Sequence, residues 1–389
     1  SSESVLIAES KLRDGAEYTE SQLRDAVARI QRLPFVVDTS FRLEKGSARG
    51  RYVLVITIVE TRPLFVSFRA LHEAIDTNRI VFAGRDPVTG APIVREEKQL
   101  FRHNEDFTTV GARWFVGARG LVHGAVDLRG ADRFSLGYTQ YGLFGTRASV
   151  SAIVQYREYA FDFPAVFGAA GRRTTSFTDH LSYDLTAAVP LYGNHGLRAA
   201  WHREQYPYTN SETVPTDPFG PGRLVIRRFN YDRGEAAWIY DSTDDSLFPT
   251  RGTYLKAGLS AQKTIRFTPG PAGRTYDPGY RWEEEIVSRA ARHWALTPAQ
   301  SVAASVDAVT RGDREDQEYT VRAGYAADLL PRRMAQRVGD FRFELEAERV
   351  FLQYDEASSY GTARAGLALR NTWGVARLDF RYIGWRQRP

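Results

Sequence analysis

The stretch Gly252-Thr253-Tyr254-Leu255-Lys256-Ala257-Gly258-Leu259-Ser260-Ala261-Gln262 decides the fold. Successive side chains of an extended strand point to opposite faces. Thr253, Leu255, Ala257, Leu259 and Ala261 therefore share one face, while Lys256, Gly258, Ser260 and Gln262 share the other. The same split separates Phe341, Phe343, Leu345 and Ala347 from Arg342, Glu344, Glu346 and Glu348. It also separates Ala376, Leu378, Phe380 and Tyr382 from Arg377, Asp379 and Arg381. About fourteen such segments follow one another from Thr108 onward, almost none with helical spacing, and that repetition indicates one closed sheet.

A polar row such as Arg342, Glu344, Glu346 and Glu348 cannot be buried dry, which weakens a β-sandwich or propeller reading and favours a barrel with a wet lumen. The chain has 389 residues and 43% hydrophobic content, with no uncharged apolar run near the roughly 20 residues a spanning helix needs. A helical membrane protein is thereby excluded, but a membrane β-barrel is not, because only alternate residues of its strands face lipid. Its 20 Tyr, 22 Phe and 7 Trp fit interfacial girdles and would equally fit a soluble β core. Short turns at Arg129–Asp132 and Asn371–Gly374 contrast with long Pro/Gly-rich connections at Phe161–Thr175, Tyr206–Arg223, Phe267–Tyr280 and Arg311–Tyr319. That two-sided pattern suits a membrane barrel.

The absence of cysteine excludes disulfides, thiol nucleophiles and Cys-ligated metals. The net charge of +5 arises from scattered Arg at alternate strand positions rather than a basic run, so a nucleic-acid partner is not expected. No phosphate loop, dinucleotide fingerprint, metalloprotease pair or nucleophile elbow is present. The cluster Asp241, Asp244 and Asp245 lacks a Gly-turned calcium loop and reads as a solvated strand end. No catalytic residue, cofactor or metal site is expected, and no enzymatic activity.

The first 60 or so residues obey a different grammar. Thr19, followed three residues later by Gln22, has capping-box spacing, and Leu23, Val27 and Ile30 mark one face of a helix over about Glu20–Arg32. Val5, Leu6, Glu9 and Leu12 predict a shorter helix before Gly15. Val37, Thr39, Phe41 and Leu43 alternate ahead of a turn at Lys45–Gly50, and Tyr52–Val59 is a run of strand formers. The unit reads helix, helix, strand, strand.

These residues resemble a POTRA domain, the periplasmic module of the outer membrane protein 85 (BamA-like) superfamily. The likeness rests on Val5-Leu6 through Gly15, Tyr18-Thr19, Leu23, Ala26, Arg29-Ile30, Leu33, Phe35 and the strand ending Val59-Glu60. Gly142-Leu143-Phe144-Gly145-Thr146 is similar to an early barrel turn of that family, with Gly142 replacing Asn. Asp241, Asp244, Asp245, Phe248, Pro249, Thr250 and Gly252 resemble its Asp-rich, Pro-x-x-Gly strand start, the most specific match. Val321-Arg322-Ala323-Gly324-Tyr325 resembles, with one inserted Ala, the motif on the loop that folds back into the lumen.

The resemblance implies an α+β POTRA module over 1–64, a linker over 65–106, and an antiparallel transmembrane barrel over 107–389, sixteen-stranded where about fourteen strands are readable. It also implies a POTRA strand upstream of Ser1, and a usual terminal aromatic that Trp385-Arg386-Gln387-Arg388-Pro389 lacks. The expected function is insertion of outer-membrane proteins or translocation of a polypeptide, with no cofactor. The alternatives are a secretion barrel, either a two-partner transporter or the export barrel of a fused patatin-like enzyme, and, less favoured, a passive porin. Expected partners are outer-membrane lipid, unfolded β-barrel or secreted clients, and periplasmic accessory proteins. The lateral seam is expected between Val110, Ala112 and Trp114 and the row Ala376, Leu378, Phe380 and Tyr382, and a client-binding POTRA edge at Val37, Thr39, Phe41 and Leu43. For a lid of Val321, Arg322, Gly324 and Tyr325, the guanidinium needs a carboxylate. Glu344 and Glu346 are favoured by the alternation, and Asp355 is the candidate by resemblance.

Overall fold

The computed structural model describes residues 2–85, 92–128, 133–163, 174–212, 223–267, 278–311, 317–352 and 360–385. Helices α1 (Ser2–Ser10) and α2 (Glu20–Gln31) precede the antiparallel pair β1 (Val36–Lys45) and β2 (Tyr52–Glu60), in the order read from the sequence. The Thr19 hydroxyl accepts from the Gln22 amide and the Gln22 side chain accepts from the Thr19 amide, so two orphan donors of α2 are satisfied reciprocally. Leu23, Ala26 and Ile30 form its buried face. At the other end of α1, the Arg29 guanidinium donates to the carbonyls of Glu9 and Ser10, and Lys11 leaves the helix at φ 59.

Fifteen strands then close a barrel. They are β3 (Leu64–Arg85), β4 (Pro92–Val116), β5 (Gly120–Asp127), β6 (Arg133–Tyr141), β7 (Ser149–Phe163), β8 (Thr174–Pro190), β9 (His195–Glu212), β10 (Arg223–Asp241), β11 (Gly252–Phe267), β12 (Pro278–Thr297), β13 (Gln300–Arg311), β14 (Gln317–Asp328), β15 (Asp340–Leu352), β16 (Tyr360–Asn371) and β17 (Gly374–Trp385). A short helix, α3 (Arg332–Val338), interrupts the connection from β14 to β15.

This corrects two expectations. The stretch 65–106 is not a linker, because β3 and most of β4 occupy it. The strand number is fifteen rather than sixteen, and the chain over 223–241 is one strand. The outer row of β3, Val66, Phe68 and Ala70, does alternate with Ser67 and Arg69, but Phe65 and Leu71 on the inner row blur the period. Phe65 has a physical reason to face inward: it lies over Gly111 of β4, where a Cβ would come within 2.2 Å of its ring.

An odd number has a topological consequence. Neighbouring strands alternate in direction, so the first and last of fifteen run the same way, and β17 pairs β3 in parallel, Ala376–Ile383 against Phe68–Ile75. Every other pair in the barrel is antiparallel.

The outer surface is apolar and the inner one ionic. Leu259 is 66% exposed on the outside, whereas Glu285 on the inner face of β12 is 3% exposed. Leu136, Trp114, Leu197, Ile286, Leu345 and Phe380 are likewise exposed around the exterior. A mainly apolar exterior over a charged interior is the distribution of a barrel immersed in lipid.

The N-terminal unit packs against the end of the barrel that carries the short turns. Phe35, 1% exposed, meets Phe115 edge-on at 5.1 Å between ring centroids and Tyr141 at 6.5 Å. Val5, Ile30, Leu33 and Val36 share that core with Leu121. Three residues, 61–63, join β2 to β3. The Arg62 amide donates to the Thr372 carbonyl at 2.7 Å and the Arg62 guanidinium lies 3.8 Å over the Trp373 ring. Phe35→Ala is expected to cost about 3 to 5 kcal/mol of docking and packing. Limited proteolysis should then cut within residues 2–60 while the barrel keeps its heat-modifiable electrophoretic mobility.

Candidate functional site

The inner wall beside the β3–β17 seam gathers, among the described residues, a dense cluster of charge. Asp379 of β17, 1% exposed, accepts from the Nε of Arg364 on β16 at 3.0 Å and from the Nε of Arg377 at 2.9 Å. Arg69 of β3 approaches the same carboxylate at 3.8 Å. Glu344 of β15 accepts from Arg364 at 3.2 Å and from Arg377. Higher along the seam Arg381 meets Glu73 of β3 at 3.4 Å. Four consecutive strands of the closed order, β15, β16, β17 and β3, are therefore braced across their inner face. Gly366 on β16 makes room for this: a Cβ there would lie 2.6 Å from the Asp379 Oδ1.

A second cluster surrounds Glu285. It accepts from Ser260 and Gln262 of β11, each at 2.9 Å, and from Arg311 of β13 at 2.8 Å, with Arg233 of β10 at 3.5 Å. Single partners at such depth would leave a desolvated carboxylate; several donors on neighbouring strands remove that penalty.

The Asp-rich connection from β10 to β11 folds inward at the turn end. Asp244 accepts from the amides of Thr250 at 2.9 Å and Arg251 at 3.2 Å, and Asp245 from those of Leu247 and Phe248 at 2.8 and 2.9 Å. Asp245 also accepts from Arg370 of β16 at 2.7 Å and from Gln31 of α2 at 3.1 Å. Phe248 is buried beneath the guanidiniums of Arg370 and Arg342, 4.8 and 5.5 Å from its ring centroid. Gly252 is required at φ 113, and a Cβ there would meet the Ser242 carbonyl at 2.4 Å. The cluster is thus a folded connection committed to its own amides, not a solvated strand end. Burial alone would raise the Asp245 pKa, but Arg370 and the two amides outweigh it and hold the carboxyl below its ordinary value of 3.8.

The seam expected at Val110, Ala112 and Trp114 lies elsewhere. Val110 and Ala112 sit opposite Val66 and Leu64 of β3, and Trp114 opposite Val122 of β5. Ala376, Leu378, Phe380 and Tyr382 do line the seam, facing Phe68, Ala70, His72 and Ala74, with the His72 and Phe380 rings stacked at 5.4 Å.

Val321, Arg322, Gly324 and Tyr325 do not form a lid; they are mid-strand in β14. Arg322 faces the lumen and pairs with Glu348 and Asp307 on its two neighbouring strands. Glu344 instead serves the seam cluster, and Glu346 lies 3.9 Å from Arg364. Asp355 lies outside the described residues, as does the turn Arg129–Asp132.

In β1, Val37 is buried, Leu43 is exposed and the Thr39 hydroxyl donates to Gln31 at 2.9 Å. Among the described residues β2 is the only partner of β1. The residues the sequence did not nominate are Asp379, Arg364, Arg370 and Glu285. Their only sequence signal is acid and base at inward positions of different strands, and pairing them requires a register.

No family model matches this chain, and no curated protein matches it. Among solved structures it is similar to BamA from Haemophilus ducreyi lacking POTRA domains 1–3, at 11% identity and a TM-score of 0.44, over 99% of this chain and 79% of that one.

Asp379→Ala leaves Arg364 and Arg377 to share Glu344 and takes from Arg69 its nearest carboxylate, and is expected to cost about 3 kcal/mol. The check is the midpoint of barrel unfolding in urea, compared with Asp307→Ala. For Asp245, a lowered folded-state pKa means its stabilisation is complete above the ordinary value of 3.8 and is lost as pH falls through the lower one. The protection factor of the α2 amides, the exchange rate divided into its unstructured value at the same pH, should therefore fall in acid in the wild type. In Asp245→Asn it should be low already at pH 7 and change little on acidification.

Proposed function

We propose that this chain is an outer-membrane barrel with a POTRA-type module on its periplasmic side, and that it assists the insertion of other β-barrel proteins. One observation carries the reading: the barrel closes through a parallel pair of eight residues a side, while β3 continues for ten more, through Arg85. Beyond Ile75 that edge of β3 has no partner among the described residues. Unpaired backbone N–H and C=O groups at such an edge are a template for an incoming strand. Parallel pairing is slightly weaker per residue than antiparallel, so this junction is the one most readily exchanged for a client strand.

The client supplies the driving force by burying its own apolar face in lipid, at about 25 cal/mol per Å². The protein lowers the barrier, and no cofactor is needed. The N-terminal unit stands where a client would arrive, and Gln31, Asp245 and Arg370 connect it to β16, the strand next to the seam. Export of a polypeptide through the lumen is the less supported alternative, because the inner wall is cross-braced by ion pairs and the turn-end mouth is crossed by the 242–251 connection.

The chain contains no cysteine, so a cross-link can be placed without background. Ala70→Cys with Leu378→Cys bridges register partners of the seam. Oxidised protein reconstituted in vesicles should fail to accelerate folding of a client barrel, and reduction should restore the rate. Full activity while locked would refute seam templating.

A further inference from the structure

A cavity of about 320 Å³ lies between the N-terminal unit and the turn ends of β8, β9 and β10. Six basic side chains line it, Lys11, Arg29, Arg32, Arg119, Arg147 and Arg198, against two carboxylates, Glu9 and Asp241. They converge from five separate places: the end of α1, α2, the β4–β5 turn, the β6–β7 turn and β9.

What these cations bond to is informative. Lys11 donates to the Gly193 carbonyl at 2.8 Å, Arg29 to those of Glu9 and Ser10 at 3.2 and 2.7 Å, Arg119 to Gly142 at 3.2 Å and Arg147 to Leu191 at 3.4 Å. Carbonyls satisfy the N–H groups without neutralising the charge. Among the described residues, the one ion pair made by these six is Arg32 with Asp241 at 3.2 Å. In the lumen Arg364, Arg370 and Arg322 each lie between two carboxylates, whereas this cavity gathers six cations around two carboxylates. Gly142 keeps it open: a Cβ there would lie 2.4 Å from the Arg119 Nη1.

We propose that this cavity is a binding site for a phosphate-class anion. Guanidinium forks match phosphate oxygens in pairs, and a doubly charged anion offsets more of the local excess than a monocarboxylate can. The volume admits a phosphate or diphosphate group with a small substituent. Serving such an anion is independent of the insertion reading. Charge repulsion already shows in Lys11, whose pKa is pushed down to about 8 by burial first and then by Arg29 and Arg147, with Arg32 adding to them and Glu9 opposing. An anion in the cavity would raise it again, so binding near pH 8 should take up a proton.

The test uses the full chain folded in a neutral detergent at fixed ionic strength, titrated calorimetrically with inorganic pyrophosphate. One saturable site is expected, at least tenfold weaker in Arg119→Gln with Arg147→Gln, and unchanged in Arg292→Gln, whose guanidinium bonds Thr253 away from the cavity. The dependence of the binding heat at pH 8 on the ionisation enthalpy of the buffer should differ between wild type and Lys11→Gln by the proton that Lys11 takes up, beyond what pyrophosphate's own ionisation contributes to both, and this decides the matter if the double variant fails to fold. Mixed micelles containing phosphatidylglycerol distinguish the source: competition with pyrophosphate assigns a lipid headgroup, its absence a soluble anion, and either keeps the site. No saturable binding to wild type, or equal binding to the folded double variant, overturns the proposal.

Discussion

The buried carboxylate of Asp379 is the interaction on which the barrel's closure depends. Fifteen alternating strands leave β3 and β17 pointing the same way, and a parallel ladder of eight residues a side is the junction that must hold the cylinder shut. Arg364, Arg377 and Arg69 come from three consecutive strands and meet at this one anion. Any one of them alone would pay a desolvation cost that a single contact barely repays. Gathered together, they tie β16, β17 and β3 across the line where the backbone ladder is weakest.

A second brace works at the turn end. The connection between β10 and β11 is stiffened by its own amides around Asp244 and Asp245, and then reaches in two directions. Asp245 grips Arg370 on β16, while Gln31 and Arg32 of the N-terminal unit bond Asp245 and the carbonyl of Thr243. The unit therefore does not hang on a flexible tether. A three-residue joint, the Phe35–Phe115–Tyr141 packing and this polar bridge set its position relative to the wall. A movement of α2 is mechanically connected to the strand beside the seam through a chain of two side-chain contacts. The same rigid placement creates the basic cavity, since Lys11 and Arg29 are held against Arg119 and Arg147 by carbonyl bonds rather than by opposite charge.

The features legible in the sequence are local. A period of two assigns Leu255, Leu259, Leu345 and Phe380 to one face and Lys256, Glu344 and Asp379 to the other, because the pleat admits no third direction. Thr19 and Gln22 determine the start of α2, because their side chains reach only that helix's own first amides. Phe248, Pro249 and Gly252 mark a special connection by residue type alone, and the reason for the glycine is steric: φ 113 beside the Ser242 carbonyl leaves no room for a Cβ.

Which strand meets which is settled by long-range pairing. Arg322 reads as a loop residue by motif yet stands mid-strand between Asp307 and Glu348, fifteen positions after the one and twenty-six before the other in the chain. Glu344, an inward residue by any reading, serves Arg364 and Arg377 rather than Arg322, because two inward rows can be slid by two residues without altering either pattern. β3 escaped its own sequence pattern because Phe65 faces inward, over a glycine that belongs to a strand some forty-five residues away. The parity of the strand count, and with it the parallel seam, is a property of the closed cylinder: no single segment carries it, since each strand satisfies only its two neighbours and closure alone fixes the direction in which the last meets the first.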